Sequence, residues 1–96
     1  MKADLVMDGT TRLRHSANAT YQNVADEAIL IHLQTGVYYS LNEVGTVFWN
    51  LMDGARTIAD CANSIAAEYA APREAVLPDL LELAGELAAE DLVVTA

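Results

Sequence analysis

The stretch that decides the fold is residues 27–54, which read EAILIHLQTGVYYSLNEVGTVFWNLMDG. Its first part, Glu27–Leu33, is apolar with a two-residue period, which is typical of a β-strand. Val37–Leu41 is rich in β-branched and aromatic residues and predicts a second strand. The short turn Gln34–Gly36, whose glycine is free to take a positive φ, joins the two strands into an antiparallel hairpin.

Three helices are predicted after the hairpin. Asn42 is a favoured N-cap, and apolar residues follow it at the i, i+3, i+4, i+7 spacing of one helix face. Thr57, with an aspartate three residues later, forms the capping-box pattern that begins a second helix. Pro72 suits the first turn of a third helix that runs to about Asp91. Pro78 lies inside that helix and predicts a bend or a late helix start.

Outside this stretch, three short segments are predicted from weaker patterns. Thr10–His15 alternates weakly and predicts an edge strand, Asn18–Asn23 is turn-like, and Leu92–Thr95 is a short extended tail. The fold class is therefore α+β, with an N-terminal three-stranded antiparallel sheet followed by three helices. Two short helices joined by a five-residue bridge and followed by a third suggest a winged helix-turn-helix-like arrangement. We expect residues 1–96 to form a single domain.

Composition and charge argue against several classes of function. The chain has 96 residues, of which 53% are hydrophobic and 20% are charged, so it is expected to fold. Five basic residues against 14 acidic ones give a net charge of −9. A protein that neutralises phosphates needs clustered Lys and Arg, so a DNA-binding winged helix is disfavoured. The third helix itself carries one base and six acids and would be repelled by phosphates.

Motifs of catalysis, metal binding and membrane insertion are missing from the sequence. Cys61 is the single cysteine, so an internal disulfide and a cysteine-based zinc site are excluded, and its position predicts a core residue. His15 and His32 lie in strand-like segments without an acid–base pattern, and no phosphate loop or hydrolase motif occurs. We expect a protein that is not an enzyme and has no cofactor or metal. Without a signal peptide or a long apolar run, a cytoplasmic location without a membrane partner is expected.

The third helix has a wide apolar arc. Its apolar side chains span about 160° at ~100° per residue, whereas a helix that packs one face on a core needs about 100°. One interpretation is that the sheet and the other helices, or a dimer partner, cover both sides of the arc. The other is that a groove between this helix and a strand edge accepts a peptide. The arc consists of Val76, Leu77, Leu80, Leu81, Leu83, Ala84, Leu87 and Ala88.

The second strand of the hairpin favours the groove. Val37–Leu41 contains neither Lys nor Pro, two residues that commonly protect an exposed edge. Extended peptides bind such edges through main-chain pairing, with selectivity from neighbouring pockets. Alternatively, Leu92–Thr95 or the N-terminus covers this edge within the same molecule. Arg73, near the apolar arc, is placed to meet a carboxylate of a ligand.

Residues 28–54 resemble the PqqD-like family of RiPP recognition elements. The resemblance is carried by a strand followed by Gly-Val-Tyr-Tyr-x-Leu-Asn-x-Val-Gly, by the helix end Trp-x-Leu-x-Asp-Gly, and by a Thr-capped helix that ends in Glu68 and Tyr69. It extends over about residues 10–95. Pro78, within the third helix, departs from the pattern that the resemblance leads us to expect.

The resemblance implies a domain that binds the leader segment of a ribosomally made precursor peptide and presents it to a separate leader peptidase or other maturation enzyme. Lasso-peptide biosynthesis is favoured on overall similarity. The alternatives are a peptide chaperone of pyrroloquinoline quinone biosynthesis that acts with a radical-SAM enzyme, and a winged-helix interaction or dimerisation module.

The resemblance also implies the peptide-binding residues. The leader adds as a strand along Val37, Tyr38, Tyr39, Ser40 and Leu41 and packs against the third helix. The groove wall is drawn from Val76, Leu77, Leu80, Leu81, Leu83, Ala84 and Leu87, with Arg73 at its entrance.

Overall fold

The computed structural model describes residues 7–96, which form five strands and three helices. The strands are antiparallel, so the predicted α+β class with antiparallel sheets and three helices is confirmed. In chain order the elements are β1 (Leu13–His15), β2 (Ala19–Val24), β3 (Glu27–His32), β4 (Tyr38–Ser40), α1 (Glu43–Leu51), α2 (Ile58–Glu68), α3 (Arg73–Ala89) and β5 (Val93–Thr95).

The strands divide into two sheets, which differs from the single N-terminal sheet that we predicted. One sheet has the order β2-β3-β4, and the other pairs β1 with β5. The predicted edge strand at Thr10–His15 therefore pairs with the C-terminal tail rather than with the hairpin. The three-stranded sheet instead takes its third strand from the segment that we predicted as a turn.

The prediction that Asn18–Asn23 is turn-like is wrong, because Ala19–Val24 forms β2. Five of its six residues are exposed, so its sequence lacks the alternation that a half-buried strand shows. Pairing with β3 determines its conformation. A tight turn, in which Ala25 has a φ of 58°, returns the chain from β2 to β3.

The predicted helix caps are confirmed. The Asn42 side chain accepts a hydrogen bond from the Gly45 amide at the start of α1. At the start of α2, the Thr57 hydroxyl accepts from the Asp60 amide, and the Asp60 carboxylate accepts from the Thr57 amide. These reciprocal bonds satisfy amides that the first helical turn leaves unpaired.

Pro78 does not delay the third helix, contrary to one of the two outcomes that we expected. The helix begins at Arg73, and the amides of Ala75 and Val76 already bond to the carbonyl of Pro72. The helix is thus established before Pro78 is reached. The carbonyl that loses a partner belongs to the exposed residue Glu74, where water is within reach.

One hydrophobic core connects the sheet with all three helices. Phe48 and Trp49 of α1 are fully buried, and they pack in one cluster with residues of β3, α2 and α3. Cys61 belongs to this core, as predicted, and burial raises the pKa of its thiol to about 11. None of the helices in residues 7–96 is long and apolar enough to cross a lipid bilayer.

Candidate functional site

Strand β4 has one paired and one free side. The His32 amide donates to the Val37 carbonyl at 2.9 Å, and the Leu41 amide donates to the Ala28 carbonyl at 2.9 Å. Because main-chain groups of successive residues point in opposite directions along an antiparallel pair, the backbone groups of Tyr38 and Ser40 point away from β3. The free side therefore offers two N–H and two C=O groups.

Within residues 7–96, no hydrogen bond is formed to these four groups. The alternative in which Leu92–Thr95 covers this edge is wrong, because β5 pairs with β1 in the other sheet. Part of the alternative in which the N-terminus covers it falls on residues 1–6, which lie outside the described residues. Later in the N-terminal segment, Arg12 forms an antiparallel bridge with Thr57, away from the β4 edge.

A groove of about 510 Å³ lies beside this free edge. It is bounded by β4, by the first turn of α1 and by α3. Its floor includes Leu80, which is 2% exposed, and its apolar walls include the half-buried side chains of Val44 and Leu83. The lining residues are Tyr39, Ser40, Leu41, Asn42, Val44, Gly45, Asp79, Leu80, Glu82, Leu83 and Glu86.

Tyr39 connects the two long walls of the groove. It faces the core side of the sheet, and its hydroxyl donates a hydrogen bond to the Glu86 carboxylate on α3. This bond to a carboxylate stabilises the neutral phenol, with a smaller contribution from burial, and raises the pKa of Tyr39 to about 12. The hydroxyl therefore remains a donor across the physiological pH range.

Three acids give the groove a negative rim. Asp79, Glu82 and Glu86 are spaced i, i+3, i+7 on α3, so they follow one another along a single face of the helix. No basic side chain lines the groove among residues 7–96. The groove thus combines free main-chain groups, apolar surface and carboxylates.

The groove wall formed by α3 is tied to the hairpin through His32. The buried ring of His32 has its Nε2 atom 3.0 Å from the Asp91 carboxylate, just beyond the end of α3. Its Nδ1 atom accepts from the amides of Gln34 and Thr35 in the turn before β4. The Asn18 side-chain amide also bonds to Asp91, and these contacts, Asn18 first, lower the pKa of that carboxyl.

The structure brings five of the predicted site residues together at the groove. Tyr39, Ser40 and Leu41 line it from the strand, and Leu80 and Leu83 line it from the helix. Two more predicted residues, Val37 and the 71% exposed Tyr38, precede them along the same chain segment.

Other predicted residues lie away from the groove surface because the apolar arc of α3 is shared with the core and with α2. Ala84 and Leu87 are fully buried core residues. Leu77 packs beside Gly9 and Ala59, on the α2 side of the helix. Leu81 follows Leu77 by one helical turn, and Val76 is half-buried against the core; neither lines the groove.

Arg73 is also absent from the groove. Its guanidinium Nε donates to the Asn63 side chain on α2 at 2.6 Å. The family resemblance implied that this arginine lies at the groove entrance, but in the structure its guanidinium is directed to α2.

Six lining residues were missed by the sequence analysis: Asn42, Val44, Gly45, Asp79, Glu82 and Glu86. A signal for two of the acids was present, because Asp79 and Glu86 lie within about 60° of Leu83 on a helix of ~3.6 residues per turn. The residues of α1 had no such signal, because their approach to the strand edge depends on tertiary packing. A Cβ added to Gly45 would lie 3.3 Å from Asn42 Oδ1, so this close approach favours glycine.

Fold and groove together define a small α+β domain whose free sheet edge faces a helix. Residues 27–93 match the family of coenzyme PQQ synthesis protein D (PqqD). The chain belongs to this PqqD family.

One relative is described as a PqqA binding protein, and another was solved in complex with a leader peptide. The chain is 38% identical over 47 residues to a PqqA binding protein of Bradyrhizobium diazoefficiens, a match that covers 49% of this chain and 46% of the relative, so it spans about half of the relative's length. It is 32% identical to TbiB1, whose structure was solved in complex with the TbiA(beta) leader peptide, with a TM-score of 0.77 over 83% of this chain and 93% of that one.

A second solved structure, lasso peptide synthetase B1 complexed with the leader peptide, is similar in fold alone. It superimposes with a TM-score of 0.77 at 18% identity, over 86% of this chain and 98% of that chain.

Proposed function

We propose that this protein binds the leader segment of a ribosomally synthesised precursor peptide by strand addition to β4. The observation that carries the proposal is the free main chain of Tyr38 and Ser40 beside a partly apolar groove. The leader peptides bound by TbiB1 and by lasso peptide synthetase B1, and the PqqA binding of the Bradyrhizobium relative, support a peptide ligand.

Strand addition and the groove have separate tasks in this proposal. Main-chain pairing with Tyr38 and Ser40 supplies affinity and fixes the register, since a slip of one residue turns every ligand side chain to the opposite face. Ligand side chains on the α3 side then contact Val44 and Leu83, which supplies selectivity. No covalent chemistry by this chain is part of the proposal.

Presentation to a separate maturation enzyme completes the proposed role. Holding the leader raises the effective concentration of the attached core peptide at a partner such as a leader peptidase. The fold shared with lasso peptide synthetase B1, whose structure holds the leader peptide, favours a lasso-peptide pathway. The match to the PqqD family and the PqqA-binding relative favour the alternative, a peptide chaperone that acts with a radical-SAM enzyme in pyrroloquinoline quinone biosynthesis.

Titrating the TbiA(beta) leader peptide and a PqqA peptide in parallel compares the ligands of the two kinds of relative. A protein whose ligand resembles that of TbiB1 binds the first more tightly, whereas a chaperone of the PQQ pathway binds the second more tightly.

A winged-helix module for dimerisation or DNA binding is the remaining alternative. The acidic groove and the net charge of −9 disfavour contact with phosphates. We expect no mobility shift of duplex DNA at low salt. We also expect light scattering to show no tight dimer formed through an apolar face of α3.

A proline substitution tests the strand addition. The amide of Ser40 points away from β3, so Ser40→Pro removes a donor from the free edge and keeps the bonds between β3 and β4. Asn23→Pro is the matched control, because Asn23 lies on the opposite edge of the same sheet with its amide also directed outward.

The ligands for calorimetric titration are peptides of about 12 residues, selected from a random display library for binding to this protein. At ~3.3 Å per residue, an extended peptide of this length crosses the groove. We expect Ser40→Pro to weaken binding at least about tenfold and Asn23→Pro to leave it unchanged. Equal affinity of wild type and a folded Ser40→Pro would exclude β4 as the binding edge.

A further inference from the structure

We propose that the groove selects peptides that place a lysine or arginine against α3, with Asp79 and Glu82 as the countercharge. This inference rests on the proposed function, because the ligand is taken to lie along β4. It adds a chemical class to that ligand: an extended peptide with a basic residue on the strand face that points toward α3.

The first argument is the charge of the groove. Three carboxylates line it, and Glu86 accepts the hydrogen bond of Tyr39. Asp79 and Glu82 are exposed and have no hydrogen-bond or ion-pair partner within residues 7–96. A cation brought by a ligand would therefore compete with no internal cation.

The second argument is the position of the described arginines, each of which lies outside the groove. Arg12 donates to the Ala55 carbonyl, Arg56 pairs with Asp53, and Arg73 donates to Asn63. Arg14 lies in β1, whose partner is β5 in the other sheet. The arginines of residues 7–96 thus lie in or just before β1, in the α1–α2 connection and at the start of α3.

The third argument is geometric. Side chains three residues apart on a helix have Cβ atoms about 5–6 Å apart, so one guanidinium or ammonium group can reach both Asp79 and Glu82. The neighbouring Leu83 offers apolar surface to the aliphatic stem of Lys or Arg, while the charged head stays at the wet rim. An acidic side chain at this position would be repelled by the two carboxylates, and an apolar one would gain no attraction from them.

Display selection gives the first test. A library of random peptides of about 12 residues is selected on wild type, on Glu82→Gln and on Glu74→Gln. Glu74 is the matched control, since it is an exposed glutamate on the same helix that does not line the groove. We expect Lys and Arg to be enriched at one register position on wild type and on Glu74→Gln, and this enrichment to fall on Glu82→Gln.

Titration of one selected peptide and its Lys→Gln version gives the second test. We expect Glu82→Gln to raise the Kd of the lysine peptide about two- to fivefold at low salt, as for an exposed ion pair, and to leave the Kd of the glutamine peptide unchanged. Added salt should weaken the lysine peptide more than the glutamine peptide. Thermal unfolding of both variants checks that the fold is kept.

The outcomes separate the two proposals. Peptides that bind and are weakened by Ser40→Pro, but show no basic enrichment and no response to Glu82→Gln, overturn the charge selection and leave strand addition in place. A library from which nothing binds, or binding that ignores Ser40→Pro, overturns the proposed function itself.

Discussion

At the scale of single residues, Tyr39 joins β4 to α3 through its bond to Glu86. Because its folded pKa of about 12 lies above the ordinary value of 10.0, the bond contributes stability that is fully present below pH 10 and is lost as the pH rises through about 12. The groove walls are therefore joined throughout the neutral range.

We predict that Glu86→Gln lowers the pKa of Tyr39 from about 12 toward 10.0, because the carboxylate that stabilises the neutral phenol is removed. Ring resonances of Tyr39 followed by NMR through alkaline pH measure this value, and Tyr39→Phe identifies the signals. Glu82→Gln is the control and should leave the value nearly unchanged. An unaltered pKa in Glu86→Gln would show that the bond is absent in solution.

The capping box of α2 is a second residue-scale feature. We predict that Thr57→Ala lowers the free energy of unfolding by about 1 kcal/mol, as is typical for the loss of an N-cap. Urea unfolding at neutral pH measures it. Thr20→Ala is the control, because Thr20 is an exposed threonine of β2, outside the helices. Equal stability of Thr57→Ala and wild type would contradict the assigned cap.

The same box predicts acid sensitivity. Hydrogen bonds from Thr57 lower the pKa of the Asp60 carboxyl. The ionised Asp60 side chain therefore stabilises the folded protein above about pH 4, and this contribution is lost as the pH falls through the pKa of Asp60 in the folded state. Between neutral and acidic pH, the free energy of unfolding should fall by less in Asp60→Asn than in wild type. An identical loss in both proteins would exclude this carboxylate as a contributor.

At the scale of elements, the hairpin and the helix caps were predictable from sequence because their determinants are local. The turn glycine Gly36 has the expected positive φ of 75°, and both side-chain caps were found at their predicted residues. Strand β2 was not predictable in this way, because its exposed residues show no apolar alternation. The pairing of β1 with β5 joins residues about 80 positions apart, which no local pattern specifies.

The apolar arc of α3 should divide functionally between core and groove. Leu80 is 2% exposed, so Leu80→Ala should lower the free energy of unfolding by about 2–4 kcal/mol. Leu83 is half-buried in the groove wall, so Leu83→Ala should cost less stability and weaken peptide binding several-fold. Denaturant unfolding and peptide titration are compared for the two variants. The opposite ranking in both measurements would contradict the placement of α3.

At the scale of the whole molecule, the wide apolar arc is divided between the core and a groove beside the strand edge, and peptide binding in that groove stays a prediction. The core and α2 take up Leu77, Ala84 and Leu87, while Leu80 and Leu83 reach the groove. The free edge was predictable because one strand of a hairpin in a small sheet is commonly an edge. Val37–Leu41 also lacks Lys and Pro, which commonly protect such an edge. The acidic rim of the groove was not predictable from the sequence, because acidic residues on a helix usually face solvent. Only the fold shows which of them lie beside a strand edge.

Amide hydrogen exchange at β4 tests the central claim, that an extended peptide completes this edge. In the free protein, the outward amides of Tyr38 and Ser40 should exchange rapidly, whereas the Leu41 amide, bonded to Ala28, should exchange slowly. Saturation with a selected peptide should slow one or both outward amides at least about tenfold. If a tightly bound peptide leaves both amides at their free rates and protects another part of the chain, β4 is not the binding edge.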